Sequence, residues 1–209
     1  MSRISPAAPE QFAQVADHME RWKKTKGYPP NSWLAMVRKP GVFRAYRDLH
    51  TAVMIDDGEV PKALKFMIAY VVSAAAGDPY CAAHNAENAV HIAGVPVEKV
   101  EALPQFQASA QFTPGERAAL ALAHAAGSCP PRVTDAHFAE IRKYSSEDAA
   151  AEIVAVLSLL GWLNRWNITL ATRIEPEAAA FAEKHLARSG WTPGEHAGTI
   201  PASSPGESK

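Results

Sequence analysis

Residues 61–76 are apolar on nearly every side, with Leu64, Phe66, Met67, Ile68, Tyr70, Val71 and Val72 in close succession. A helix built from them has no face suited to water, so it must lie at the centre of a bundle. Elsewhere alanine, leucine and glutamate recur at helical spacing, and alternating β-branched runs are nearly absent. The pattern predicts an all-α helical bundle with this apolar segment as its central helix. The chain has 209 residues, 47% of them hydrophobic, enough for one compact unit.

Start and stop signals lay out the remaining helices. A first helix is expected over about residues 9–24, with Phe12, Val15, Met19 and Trp22 along one stripe, ended by Gly27-Tyr28-Pro29-Pro30. A short helix over 32–38 follows, and a third reaches about residue 54. Gly77 stops the central helix, and Asp78 as N-cap with Pro79 at the first helical position starts the next, which runs to about residue 93. A helical turn near 97–103 precedes a loop, and Thr113-Pro114-Gly115-Glu116 carries a capping box that opens a helix to about residue 126. Thr134 caps a helix to about 144, Ser146 a long one over 147–172, and 176–189 is the last. Residues 1–30 read as an N-terminal helix and linker, 31–190 as the main domain, and the Gly-, Pro- and Ser-rich 191–209 as a disordered tail.

Lys and Arg number 21 against 22 Asp and Glu. With no excess positive charge to neutralise phosphates or an anionic lipid surface, neither nucleic acid nor a membrane is expected as a partner. No run approaches the ~20 apolar residues of a membrane-spanning helix, and residues 1–9 lack an export-signal pattern, so the expected compartment is the cytoplasm. Two cysteines, Cys81 and Cys129, are too few for a disulfide scaffold. His50, His91 and His124 have no ligand-spaced neighbours, and no metal or other cofactor is expected.

The chemistry-bearing segment is Gly77-Asp78-Pro79-Tyr80-Cys81-Ala82-Ala83-His84. The helix start places Cys81 at the third helical position, among backbone N–H groups that lack internal partners, and His84 follows one turn later on the same face. The positive end of the helix dipole favours a thiolate, while the anionic Asp78 opposes it, so the sign of the thiol pKa shift is open. Catalytic candidates are Cys81 as nucleophile, His84 as proton carrier and Asp78 as cap or participant. Tyr80, Trp162, Arg165 and Trp166 are candidates for binding a substrate. Glu152 is expected in solvent or in an ion pair.

Two separated segments carry a family resemblance. The apolar helix leading into Gly-x-x-Tyr-Cys-Ala-Ala-His, followed by the Thr-Pro-Gly-Glu-Arg helix start, is one. The later Ser-Ser-Glu-Asp helix ending in Gly161-Trp162-Leu163-Asn164-Arg165-Trp166-Asn167 is the other. Together they resemble the carboxymuconolactone decarboxylase and AhpD-like superfamily over roughly residues 31–188, which implies an AhpD-like helical bundle. The redox-active members resemble small alkylhydroperoxidases with a Cys-x-x-Cys pair, a nearby His and an upstream Glu. On that pattern Cys81 matches the second, peroxide-attacking cysteine. Asp78 stands in place of the first, resolving cysteine, and the upstream Glu falls on or beside Phe66, next to Lys65. The family His matches His84 where it follows the cysteine by three residues, and Asn85 where it follows by four.

The resemblance implies three alternatives. The first is a one-cysteine reduction of hydroperoxides, with Cys81 attacking, His84 relaying a proton and an external thiol as reductant. The second is decarboxylase-like acid–base chemistry on a small carboxylic acid, with His84 as proton donor and Arg165 or Lys65 as anchors. The third is a catalytically idle helical oligomer or binding protein. A homo-oligomer, dimer or trimer, is expected, because the central helix is more apolar than one chain is expected to cover and members of the superfamily it resembles pack such helices together.

Overall fold

The computed structural model describes residues 2–197, which contain eleven α-helices and no β-strand. The N-terminal half holds α1 (Pro9–Ala13), α2 (Ala16–Lys26), α3 (Asn31–Met36), α4 (Pro40–His50), α5 (Lys62–Ala75) and α6 (Pro79–His91). Then come α7 (Val97–Glu101), α8 (Pro114–Gly127), α9 (Asp135–Ile141), α10 (Glu147–Leu170) and α11 (Pro176–His185). The all-α architecture is as the residue pattern requires.

Helix α5 is the centre, packed against α6, α8 and α10, with α11 laid on α6. Every residue from Lys65 to Ser73 is buried. Large side chains such as Phe66, Met67 and Ile68 each contribute roughly 1.5–3 kcal/mol on leaving water. One chain therefore covers its own central helix, which removes the argument for an oligomer drawn from α5. Lys65 is tolerated inside because its ammonium group donates to the Asp56 carbonyl at 3.2 Å and lies 3.7 Å from Glu152. Glu152 also accepts the backbone N–H groups of Glu59 and Val60 at 2.9 and 3.1 Å, so it clamps the start of α5.

Two glycines set the geometry around α5. Gly77 has φ +73°, a left-handed conformation that lets α5 end and α6 begin within three residues. Gly127, at the end of α8, lies so close to α5 that a Cβ there would run into the Val72 carbonyl and sit 2.9 Å from Ala75 Cβ.

Three expectations are revised. The first helix is two, because Val15 turns its side chain into the core at φ −136° and breaks the helix between α1 and α2. Residues 191–197, assigned to a disordered tail, are ordered: Trp191 Nε1 donates to the Pro79 carbonyl at 3.0 Å and His196 is buried against Thr172. The rest of that tail lies outside the described residues. Finally, α10 is long and apolar enough to cross a membrane, with mean hydropathy 1.3 over its best window. Here it presents Ile153, Val156, Leu157, Leu160 and Leu163 to the core.

Replacing Gly127 by Ala should destabilise the fold by roughly 1–3 kcal/mol, the usual range for overpacking. Urea unfolding would show a lower midpoint with an unchanged slope.

Candidate active site

The turn at Gly77 delivers Asp78 as the cap of α6, where its Oδ1 accepts the Cys81 backbone N–H at 3.1 Å. Capping by a side chain three residues back holds the Cys81 backbone in place, and the helix then turns the sulfur inward. Cys81 is only 4% exposed and His84 8%. The sulfur accepts a hydrogen bond from Asn167 Nδ2 of α10 at 3.2 Å. Asn85 Nδ2 donates back to the Cys81 carbonyl at 2.8 Å.

Cys81, Tyr80 and His84 line one cavity of about 60 Å³. Its apolar walls come from Trp33, Tyr46, Met54, Leu160 and Leu163, together with Trp22 of α2. His50 also lines it, and burial holds that ring's pKa down to about 3, so it is neutral near pH 7. The chamber thus places one sulfur among aromatic and aliphatic walls with a few polar groups.

Beyond the sulfur lies a carboxylate that sequence spacing did not point to. Glu175, immediately before α11, approaches His84 Nε2 with Oε2 at 2.6 Å and accepts the Tyr80 hydroxyl on Oε1 at 3.0 Å. The backbone N–H of Asn31, at the start of α3, also donates to it. Burial pushes this carboxyl pKa upward, yet His84 and the other donors outweigh it and leave the pKa below the ordinary glutamate value. An ionised Glu175 therefore fixes the His84 ring, with Nε2–H as the donor.

The sign left open in the sequence is settled by burial. Removal from water pushes the Cys81 thiol well above its usual range, and the Asp78 carboxyl reinforces the shift; the Asn167 hydrogen bond opposes it. Asp78 is raised as well, chiefly by burial, against its bonds to Cys81 and the nearby His196, whose Nε2 is 3.9 Å away. Its Oδ2 is buried and has no hydrogen-bond partner. The resting sulfur is a protonated thiol.

Asp78 stands beside Cys81, and Tyr80 is in the cavity. Trp162 and Arg165 are on the outer side of α10, away from the face carrying Leu160, Leu163 and Asn167. Trp162 is 41% exposed and stacks between Tyr46 and Trp166, with ring centroids 5.6 Å from each. Trp162, Arg165 and Trp166 therefore do not line the chamber; the helical period turns them from it. Lys65 is committed to Asp56 and Glu152, so neither proposed carboxylate anchor reaches the cavity. Cys129 is free and exposed in the loop after α8 and lines no wall of the chamber. Glu175 had one faint signal, its place before Pro176 as a helix start; nothing local tied it to His84.

The carboxymuconolactone decarboxylase family model matches residues 40–125, the stretch from α4 to α8 that contains the capped cysteine. Solved structures agree over nearly the whole chain. The debrominase Bmp8 without ligand is 33% identical, with TM-score 0.79, covering 86% of this chain and 95% of that one. A cysteine-to-alanine variant of Bmp8 in complex with 2,3,4-tribromopyrrole is 32% identical, with TM-score 0.81 and coverage of 88% and 99%. A peroxidase-related protein with an alkylhydroperoxidase AhpD core, from Ralstonia eutropha JMP134, is 25% identical, with TM-score 0.75 and coverage of 87% and 95%. No curated protein sequence matches. The chain belongs to the carboxymuconolactone decarboxylase family, with the AhpD-like fold.

The thiol geometry has a direct chemical consequence. In the native protein a thiol-specific reagent should modify Cys129 rapidly and Cys81 slowly, with the slow phase growing at alkaline pH. Asp78→Asn keeps a capping side chain but removes the charge, so the pH at which Cys81 begins to react should fall. An unchanged profile would show that Asp78 does not set the thiol's protonation.

Proposed function

We propose that the protein is a cysteine-dependent reductase of a small apolar electrophile, with a halogenated aromatic as the favoured substrate class. The observation that carries this reading is the sulfur of Cys81 on the wall of an aromatic chamber that His84, held by Glu175, also lines. The likeness to a debrominase over nearly its full length supports it. Aromatic walls suit a flat ring, and among the described residues no Lys or Arg lines the chamber to hold a carboxylate, which disfavours the decarboxylase alternative.

The chemistry requires a thiolate, so the Cys81 proton must leave when substrate arrives. Burial that raises the Asp78 pKa also makes its carboxylate a stronger base than usual, suited to take that proton. The thiolate attacks the halogen, an S–halogen bond forms, and the carbon–halogen bond breaks with its electron pair left on carbon. A proton delivered from the His84 side completes the C–H bond. An external thiol then displaces halide from Cys81 to give a mixed disulfide. A second thiol releases Cys81 and departs as the disulfide. Two thiols are oxidised and one carbon–halogen bond is reduced.

Hydroperoxide reduction is the second reading, favoured by the cavity's size. About 60 Å³ takes a few waters or a peroxide without rearrangement, whereas a ring bearing halogens needs the walls to move. Both readings use the same sulfur and the same external thiol.

Purified protein with excess thiol should release bromide from a brominated pyrrole or phenol. Cys81→Ala should abolish release, Cys129→Ser should leave it intact, and His84→Ala should slow it by about 10²-fold or more. Bromide formation that survives Cys81→Ala would reject the reading. Peroxide consumption with no bromide release would select the second.

A further inference from the structure

Both readings require a thiol reductant from outside, because Cys129 is exposed on another loop and lines no wall of the chamber, so a place for that reductant should adjoin the chamber. A cleft of about 530 Å³ meets this condition, sharing Trp22 with the chamber. Trp22 is the residue common to the two, lining the chamber and the cleft alike. The pair behind it repeats the connection, since His50 lines the chamber, Arg47 lines the cleft, and Arg47 Nη1 is 3.3 Å from His50 Nδ1.

The cleft is cationic in a protein of net charge −1. Arg21, Arg47 and Lys62 line it, together with His18; Asp48 is the one acidic residue among its walls. Arg47 is held across the faces of Trp33 and Trp22, 4.4 and 5.6 Å from their ring centroids, and its Nε is buried without a hydrogen-bond partner. Charged donors held in place around a concave surface with an apolar floor of Trp22, Ile55 and Ile92 suit an anion with an apolar portion. The 500 Å³ cleft on the opposite face of α6 is a poor alternative. It contains Asp78 in its wall and meets α6 through Pro79 and Ala82, not through the face bearing the sulfur.

We infer that the cleft lined by Arg21, Arg47 and Lys62 is the docking site for a carboxylate-bearing low-molecular-weight thiol that reduces oxidised Cys81 past Trp22, the residue the cleft shares with the chamber. The inference rests on the proposed reductase reading for its purpose, but the binding itself does not. His18, whose pKa is lowered by burial and by Arg21 and Arg47, would gain a proton more readily with an anion beside it. The sequence of events is that of thiol–disulfide exchange: the bound thiolate attacks the oxidised sulfur, halide or hydroxide leaves, and a second thiol regenerates Cys81.

Two measurements on the full chain test this. Calorimetry with S-methylglutathione, which has the carboxylates but cannot react, should detect binding to the wild type. The double variant Arg21→Gln, Lys62→Gln should weaken that binding by about tenfold or more, and Arg21→Lys with Lys62→Arg should retain it. In turnover, the double variant should raise KM for glutathione by a similar factor and leave KM for 2-mercaptoethanol unchanged. Absence of wild-type binding, equal binding by the Gln variant, or an equal rise in both KM values would overturn the proposal. Because S-methylglutathione reads the cleft whatever Cys81 reduces, binding without any turnover would sink the reductase reading and leave the site standing.

Discussion

One buried carboxylate ties the site to the fold. Glu175 receives a backbone N–H from the start of α3, a hydroxyl and an imidazole from α6, and itself introduces α11. Three stretches far apart in the chain meet on its two oxygens. An ionised group that far from water is stable only with such partners, because losing any of them leaves charge uncompensated. The same contacts that make the carboxylate tolerable hold His84 in one orientation, so structural satisfaction and chemical readiness have a common origin.

Around that anchor the arrangement is strongly asymmetric. One face of α6 meets α10 and the aromatic side chains of α2 to α4, and there the sulfur lies. The other meets α11 and the ordered segment ending at His196, and there the Asp78 carboxyl reaches toward an imidazole. Asp78 spans both environments: it caps the helix, touches the cysteine backbone and raises the thiol pKa. A cysteine at the same position, as in the two-cysteine members that the sequence resembles, would have offered a redox partner. The carboxyl at this position cannot form a disulfide, so on the proposed reading the reductant comes from outside the protein.

Much of the fold was legible because its determinants are local. The apolar run became the buried α5, Asp78-Pro79 became a true cap, and Thr113 with Glu116 formed the capping box expected of that spacing. The site was legible only where it is local too. Cys81 and His84 share a turn, but Glu175 and the walls from Trp33 and Tyr46 arrive by packing, which a four-residue spacing does not encode. Trp162 and Arg165 drew notice as a polar-aromatic cluster, yet the period of α10 turns them outward and leaves Leu160, Leu163 and Asn167 facing the sulfur. The thiol's protonation was undecidable from sequence because its largest contribution is burial, a property of the assembled bundle.

Keeping that sulfur protonated and shut from solvent also determines where oxidative damage falls. Conversion of cysteine to sulfinic and sulfonic acids follows exposure and thiolate character, and Cys81 at rest has neither. Stray oxidants in the surrounding medium meet Cys129 first, on a loop whose chemical loss leaves the chamber untouched. The buried Cys81 is spared such corrosion, and dormancy becomes a form of preservation.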